Sequence, residues 1–138
     1  MQFLESRLAK SLRIRYTIPS VWNRMGYEIV TDLDLGLVRV ITEGEMKAEE
    51  FEQMIPESRD CCRAHGILKV LTDCSGSTGK QITTSEVREI AAQCEQLNGT
   101  LDGGQLAVVL KSDLDYGMAR MWQAYAEERL RFASSLFR

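Results

Sequence analysis

The sequence has few histidine, proline and aromatic residues and no long apolar segment. It contains one histidine and two prolines among 138 residues, and aromatic residues make up only 7% of the chain. No uninterrupted apolar run reaches the roughly 20 residues of a transmembrane helix. No signal peptide is visible in residues 1–25. We therefore expect a cytoplasmic protein without a membrane span.

The four cysteines lack the spacing of a disulfide framework or of a zinc site. Cys61 and Cys62 are adjacent, and Cys62 lies one helical turn from His65, but a fourth ligand is not evident. We expect free thiols, no metal and no cofactor. The net charge of −3 argues against nucleic acid as a partner, because phosphate binding needs clustered basic residues.

The composition that is present fits one globular domain. The chain is 44% hydrophobic and 27% charged, close to the average for proteins with a buried core. Up to residue 26, five basic side chains stand against one acidic one, which gives +4 and leaves −7 for the rest. We predict a basic N-terminal extension at residues 1–25 and a domain at residues 26–138.

Hydrophobic patterning predicts strands and helices in alternation. Tyr27–Asp32 and Leu37–Glu43 read as an antiparallel hairpin, and Lys47–Ala64 reads as a helix that Pro56 should kink or split. A strand at Ile67–Asp73 follows. The other predicted elements are a loop at 74–79, a helix from 83 to 98, a strand at 105–110, a helix after Ser112 and a strand at 130–137.

The predicted order is therefore ββαβαβαβ. Strands separated by helices run parallel, and the opening hairpin adds one antiparallel edge. We predict an α/β fold with a mixed, mainly parallel sheet of about five strands.

Several short motifs accompany this order of elements. They are Tyr27-Glu-Ile-Val, Gly36-Leu-Val-Arg-Val, Gly44-Glu45 before Ala48-Glu-Glu, and Tyr116-Gly-Met-Ala-Arg-Met-Trp122. The order and the motifs together resemble the SpoIIAA-like STAS/SEC14 proteins of bacteria, which have the fold of sulphate transporters and anti-sigma factor antagonists. The resemblance covers Tyr27 to Arg138 and implies a STAS-like fold.

Asp73-Cys-Ser75-Gly76 matches the first part of the phosphorylated loop of anti-sigma factor antagonists. The Asp-Ser pair that follows in those proteins is absent, because 79–85 reads Gly-Lys-Gln-Ile-Thr-Thr-Ser. Phosphorylation at Ser75 or Ser77 is therefore only a hypothesis.

The same segment is a candidate site for a small anion. It leaves a parallel strand and approaches a helix N-terminus, where free N–H groups favour negative charge. It is not a P-loop, since Gln81 replaces the hydroxyl residue, and a plain flexible loop is the alternative reading. The candidate residues are Asp73, Ser75, Gly76, Ser77, Thr78, Gly79 and Lys80.

The helix after Ser112 supplies a candidate interaction surface. Helical spacing predicts that a stripe of Leu114, Met118, Met121 and Tyr125 faces the core. Tyr116, Arg120 and Trp122 then lie beside or outside this stripe, where large aromatics contact a partner or line a cleft. Membership of the core is the alternative for the aromatic residues.

We expect a non-catalytic STAS-like module that binds a protein partner or itself, most simply as a homodimer. The alternative is a carrier or sensor with a cleft beside Trp122 for a lipid-like or anionic ligand, as the relation to SEC14 domains implies. An uncharacterised enzyme comes third, and no catalytic residue is assigned. The candidate catalytic side chains of such an enzyme would be His65 with Ser75 or Cys74, or the carboxylates Asp73, Asp113 and Asp115.

Overall fold

The structure, a computed structural model, describes residues 26–138 in full and residues 14–16 by their backbone. The predicted extension at residues 1–25 otherwise lies outside the described residues. Its boundary at residue 25 stays a prediction.

The described elements alternate along the chain. They are β1 Ile14–Tyr16, β2 Tyr27–Asp32, β3 Leu37–Glu45, α1 Ala48–His65, β4 Lys69–Thr78, α2 Thr84–Gln93, a 3-10 turn Cys94–Leu97, α3 Asn98–Leu101, β5 Gln105–Val109, α4 Asp113–Ala126 and β6 Ala133–Phe137.

The strands form one sheet in the order β1-β2-β3-β4-β5-β6. The first three pair antiparallel, and β3 to β6 pair parallel. The predicted mixed, mainly parallel α/β sheet is confirmed for the five strands from Tyr27 onward. Ile14–Tyr16 adds a sixth strand at one edge.

The hairpin forms because its turn residues suit a tight reversal. Asp32 Oδ1 accepts a hydrogen bond of 3.1 Å from the Leu35 N–H. Gly36 has φ +64, a conformation that glycine adopts without strain. This Asp/Gly turn pairs β2 with β3 in the register Asp32 to Leu37.

The described helices cover one face of the sheet. Each parallel strand neighbours the next in sequence, so right-handed crossovers place every helix on the same side. Alternate strand residues such as Val38, Val40, Val70 and Leu106 are buried there. On the opposite face of β3 to β6, no described helix packs.

The helices differ from the predictions in two respects. Pro56 does not split α1, which is continuous because its apolar side, with Met54 and Ile55, is buried against the core. Asn98 does not end the second helical segment, since α3 continues to the buried Leu101. The Asn98 side chain instead ties this segment to Arg129 O and Arg131 N at 2.8 and 2.9 Å.

The predicted loop at 74–79 is also wrong, because β4 runs on to Thr78. The longer β3 provides its partner, with Glu43, Gly44 and Glu45 opposite residues 76–78. Small residues allow this approach: a Cβ at Gly76 would lie 3.3 Å from Thr42 O. The small-residue pattern thus reflects close strand packing.

Candidate ligand cavity

A cavity of about 150 Å³ lies between the sheet and the helices. Its walls are formed by β4, β5 and the inward sides of α1, α2 and α4. Most lining side chains are apolar, and the apolar ones include Phe51, Ile55, Val87, Ile90, Leu106, Val108 and Trp122. A volume of this size can hold a molecule such as benzene.

The polar lining is concentrated near the carboxyl end of β4. Thr72, Cys74 and Ser77 line the cavity from this strand. The Ser77 and Thr42 hydroxyl oxygens lie 2.5 Å apart and share a hydrogen bond. The carboxyl ends of parallel strands are the usual ligand side of α/β proteins. The cavity therefore combines an apolar body with one polar corner.

Asp115 fixes the geometry of this corner. Its Oδ1 accepts hydrogen bonds from Thr78 Oγ1 at 3.2 Å and from Gly79 N–H at 3.0 Å. Its Oδ2 accepts from Ser112 Oγ at 2.8 Å. The carboxylate is buried and links the end of β4 to the start of α4. Asp115 thus connects the two elements by accepting hydrogen bonds from three donors.

The predicted core stripe of α4 is wrong at its first residue, and Trp122, predicted to lie beside the stripe, belongs to the inward side of the helix. Leu114 is 57% exposed, whereas Trp122 packs against the core and lines the cavity. The reason is Asp115, whose hydrogen bonds pull its side of the helix inward. Ala119 and Trp122 follow Asp115 at helical spacing and therefore face the cavity.

The other two predicted surface residues lie outside the cavity. Arg120 is exposed. Tyr116 is half-buried, and the Arg138 guanidinium lies 4.5 Å from the centre of its ring. Arg138 also forms an ion pair of 2.5 Å with Asp113. The predicted interaction surface is thus not one patch with Trp122.

The predicted anion-binding residues are divided between the two faces of the sheet. Ser77 and Gly79 line the cavity, and Thr78 bonds to Asp115. The side chains of Asp73 and Ser75 belong to the opposite face, and Gly76 and Lys80 are exposed. The backbone of 76–78 pairs in the sheet, so these residues do not form an open anion-binding loop.

The N-terminus of α2 is also already occupied. Thr83 Oγ1 accepts from the Glu86 N–H at 3.1 Å, and Glu86 Oε1 accepts from the Thr83 N–H at 2.9 Å. These two reciprocal hydrogen bonds form a capping box. It places a carboxylate where an anion would bind.

On the opposite face, Asp73 and Ser75 interact with each other. Asp73 Oδ1 accepts from the Ser75 hydroxyl at 2.6 Å and from the Ser75 N–H at 3.0 Å. The two hydrogen bonds from Ser75 hold the pKa of Asp73 below its usual value, and Arg39 adds to this. Ser75 is exposed and has no contact with the cavity.

The cysteines are free thiols in buried surroundings. Burial raises the pKa of Cys62 and of Cys94 to about 12, and it also raises the pKa of Cys61 and Cys74. A hydrogen bond from Trp122 partly offsets the effect at Cys94. Such thiols stay protonated at neutral pH and are poor nucleophiles. Within residues 26–138, no cluster of His, Cys, Asp and Glu could hold a metal ion.

The folding does not bring His65 near Ser75 or Cys74. His65 is exposed at the end of α1, close to the amino end of β4, whereas Ser75 lies near its carboxyl end. Ser75 follows Lys69 by six steps along the strand, which is about 20 Å. The histidine-based catalyst considered above is therefore not assembled.

Sequence reasoning missed Thr72 and Ala119 as lining residues and Thr42 as the hydrogen-bond partner of Ser77. Each stands in an ordinary strand or helix pattern, and no motif marks it. A partner contact, a cleft and the core were the predicted alternatives for Trp122, which packs against the core and lines the cavity.

Comparisons of the chain with protein-family models, with curated proteins and with solved structures give no match. In the described part of the chain, no helix has the length and hydropathy required to cross a membrane. The fold thus defines the class, an α/β protein with a mainly parallel sheet.

Proposed function

We propose that this chain is a STAS-like domain that binds a small apolar ligand in its cavity and acts as a carrier or sensor. The observation that carries the proposal is the cavity of about 150 Å³ beside Trp122. The ββαβαβαβ order and the hairpin support the STAS-like assignment. No catalytic step is part of the proposal.

The composition of the cavity walls supports a ligand. Sites for small molecules are concave and lined mostly by apolar side chains with a few polar groups. The cavity beside Trp122 has such a lining, with its polar groups near the carboxyl end of β4.

The size of the cavity limits the ligand. Pockets for drug-sized molecules have roughly 300–1,000 Å³, and an intact phospholipid needs more than a cavity of 150 Å³ offers. The lipid-like ligand considered from the resemblance is therefore replaced by a compact molecule of about the size of benzene. An anionic ligand is disfavoured, since the lining offers no cationic side chain.

Filling the cavity tests the proposal. Ala119→Leu adds carbon atoms to the lining, whereas Ala124→Leu changes an exposed position of the same helix. We expect toluene to bind the wild type with a Kd on the order of 0.1 to 1 mM in ligand-detected NMR. Ala119→Leu should weaken binding at least about tenfold, and Ala124→Leu should leave it within about twofold. Equal binding by the two variants would refute the proposal.

A protein-interaction module is the second candidate. Leu71, Val109 and Phe137 lie on the sheet face over which no described helix packs, and Phe137 is 53% exposed. A second copy of this chain is the partner that suits the surface, because the basic extension of one copy complements the acidic domain of the other.

A further inference from the structure

Ser77 faces the cavity because of an irregularity in the sheet. Ile41 pairs with Asp73, but Glu43 pairs with Gly76, so Thr42 alone stands opposite two residues of β4. This is a β-bulge, and the extra residue inverts the alternation of side chains beyond it. Without the bulge, Ser77 would point to the opposite face. Bulges of this kind often direct a side chain into a functional site.

The hydrogen bonds of Ser77 with oxygen partners leave its oxygen with a further acceptor position. If Thr42 donates to Ser77 Oγ, the Ser77 hydroxyl can donate to Cys74 O at 3.3 Å. If Ser77 donates to Thr42 Oγ1, Thr42 can donate to Asp73 O at 3.4 Å. A hydroxyl has one donor and two acceptor positions. In both arrangements the Ser77 proton is used and Thr42 takes at most one lone pair, so a ligand donor competes only with the Cys74 thiol, a weak donor within hydrogen-bonding reach of Ser77.

The cavity offers no free charge to a ligand. Asp115 is the one charged side chain in its lining, and its carboxylate already accepts from Ser112, Thr78 and Gly79. Burying a charged ligand without a partner is costly. The remaining walls are apolar, apart from a few hydroxyls and thiols.

We infer that the cavity selects a compact, neutral molecule with one hydrogen-bond donor, such as a single-ring phenol, and that Ser77 Oγ accepts this hydrogen bond. The inference rests on the proposed ligand-binding function and names the chemistry of the ligand. A hydrogen bond from a ligand hydroxyl to Ser77 Oγ adds a modest net gain over an analogue without a donor, because Ser77 keeps its partners within the protein in either case.

Phenol and toluene test the inference, since they have similar size and only phenol donates a hydrogen bond. Dissociation constants are measured by NMR titration for the wild type, Ser77→Ala and Ser75→Ala. Ser75 is the matched control because it lies on the same strand but faces away from the cavity. We expect Ser77→Ala to raise the dissociation constant of phenol about threefold to tenfold and to change that of toluene less than about twofold. Ser75→Ala should change neither dissociation constant.

Several results would overturn the inference. If Ser77→Ala binds phenol as tightly as the wild type does, or if its affinities for phenol and toluene fall by the same factor, Ser77 is not the acceptor. Toluene binding by the wild type would still support the proposed function. If neither probe binds the wild type, the proposed function fails together with the inference. Should Ser77→Ala unfold, Ser77→Cys keeps a side chain of similar shape with a weaker acceptor, and it should weaken phenol selectively.

Discussion

At the scale of single residues, burial controls the chemistry of the thiols. Cys94 and Cys62 lie in the apolar core, and this burial raises the pKa of each to about 12. In the unfolded chain a cysteine ionises near its ordinary pKa of about 9. The folded state therefore binds more protons than the unfolded state between these two values.

Stability should consequently fall as the pH rises from about 9 toward 12. Below pH 9 both states hold the thiol protons, and the contribution of the buried thiols is fully present. We expect the free energy of unfolding in urea to decrease over this range, and Cys94→Ala to show a smaller decrease than the wild type. Parallel pH profiles for the two proteins would show that Cys94 is not protected from ionisation.

At the scale of elements, Asp115 holds the end of β4 against the start of α4. We expect Asp115→Ala to lower the free energy of unfolding by about 3 kcal/mol, since it removes a buried acceptor from three donors. Asp113→Ala is the matched control. Its side chain is 87% exposed, and its ion pair with Arg138 should contribute less than about 1 kcal/mol.

Chemical denaturation of the two variants measures this difference. An equal decrease in the free energy of unfolding for both variants would mean that the hydrogen bonds of Asp115 matter less than an effect that both carboxylates share. That effect is the interaction of a negative charge with the helix dipole at the start of α4. A loss confined to Asp115→Ala would support its role as the tie that shapes the polar corner of the cavity.

Local patterns were sufficient to predict most elements. The hairpin turn and the starts of the helices at Thr83 and after Ser112 are short-range features, and each occurs where the sequence placed it. Gly66 ends α1 with φ +64, a conformation that glycine adopts without strain. These signals depend on neighbours within four residues and are therefore visible in sequence.

The site could not be predicted to the same extent, because its geometry depends on distant contacts. The bulge in β4 requires the pairing of Thr42 with residues more than thirty positions away. The inward side of α4 depends on Asp115 meeting Thr78 and Gly79. Periodicity alone therefore placed Leu114 in the core and left open whether Trp122 faces a partner, a cleft or the core.

At the scale of the whole molecule, the sheet has one face that the described helices leave uncovered. We expect the chain to self-associate, most simply as a two-fold dimer, because apolar residues such as Leu71 and Phe137 lie on that face. Residues 1–25 lie mostly outside the described part of the chain, but their positive charge complements the acidic domain. Salt should therefore weaken the association.

Light scattering at several salt concentrations, on the full chain and on a chain that starts at Met25, measures the association. We expect a dimer at tens of micromolar that weakens in high salt or without the extension. A full-length monomer under all conditions would contradict the expectation. Phe137→Ser is a useful variant, because it should weaken the dimer without touching the cavity.

The central claim is that the cavity beside Trp122 holds a compact ligand, and a crystal structure of the chain soaked with bromobenzene tests it most directly. The bromine gives an anomalous signal that locates the molecule without assumptions about its pose. We expect one signal inside the cavity, between Trp122 and Val108. An empty cavity, or bromine found only on the protein surface, would contradict the claim.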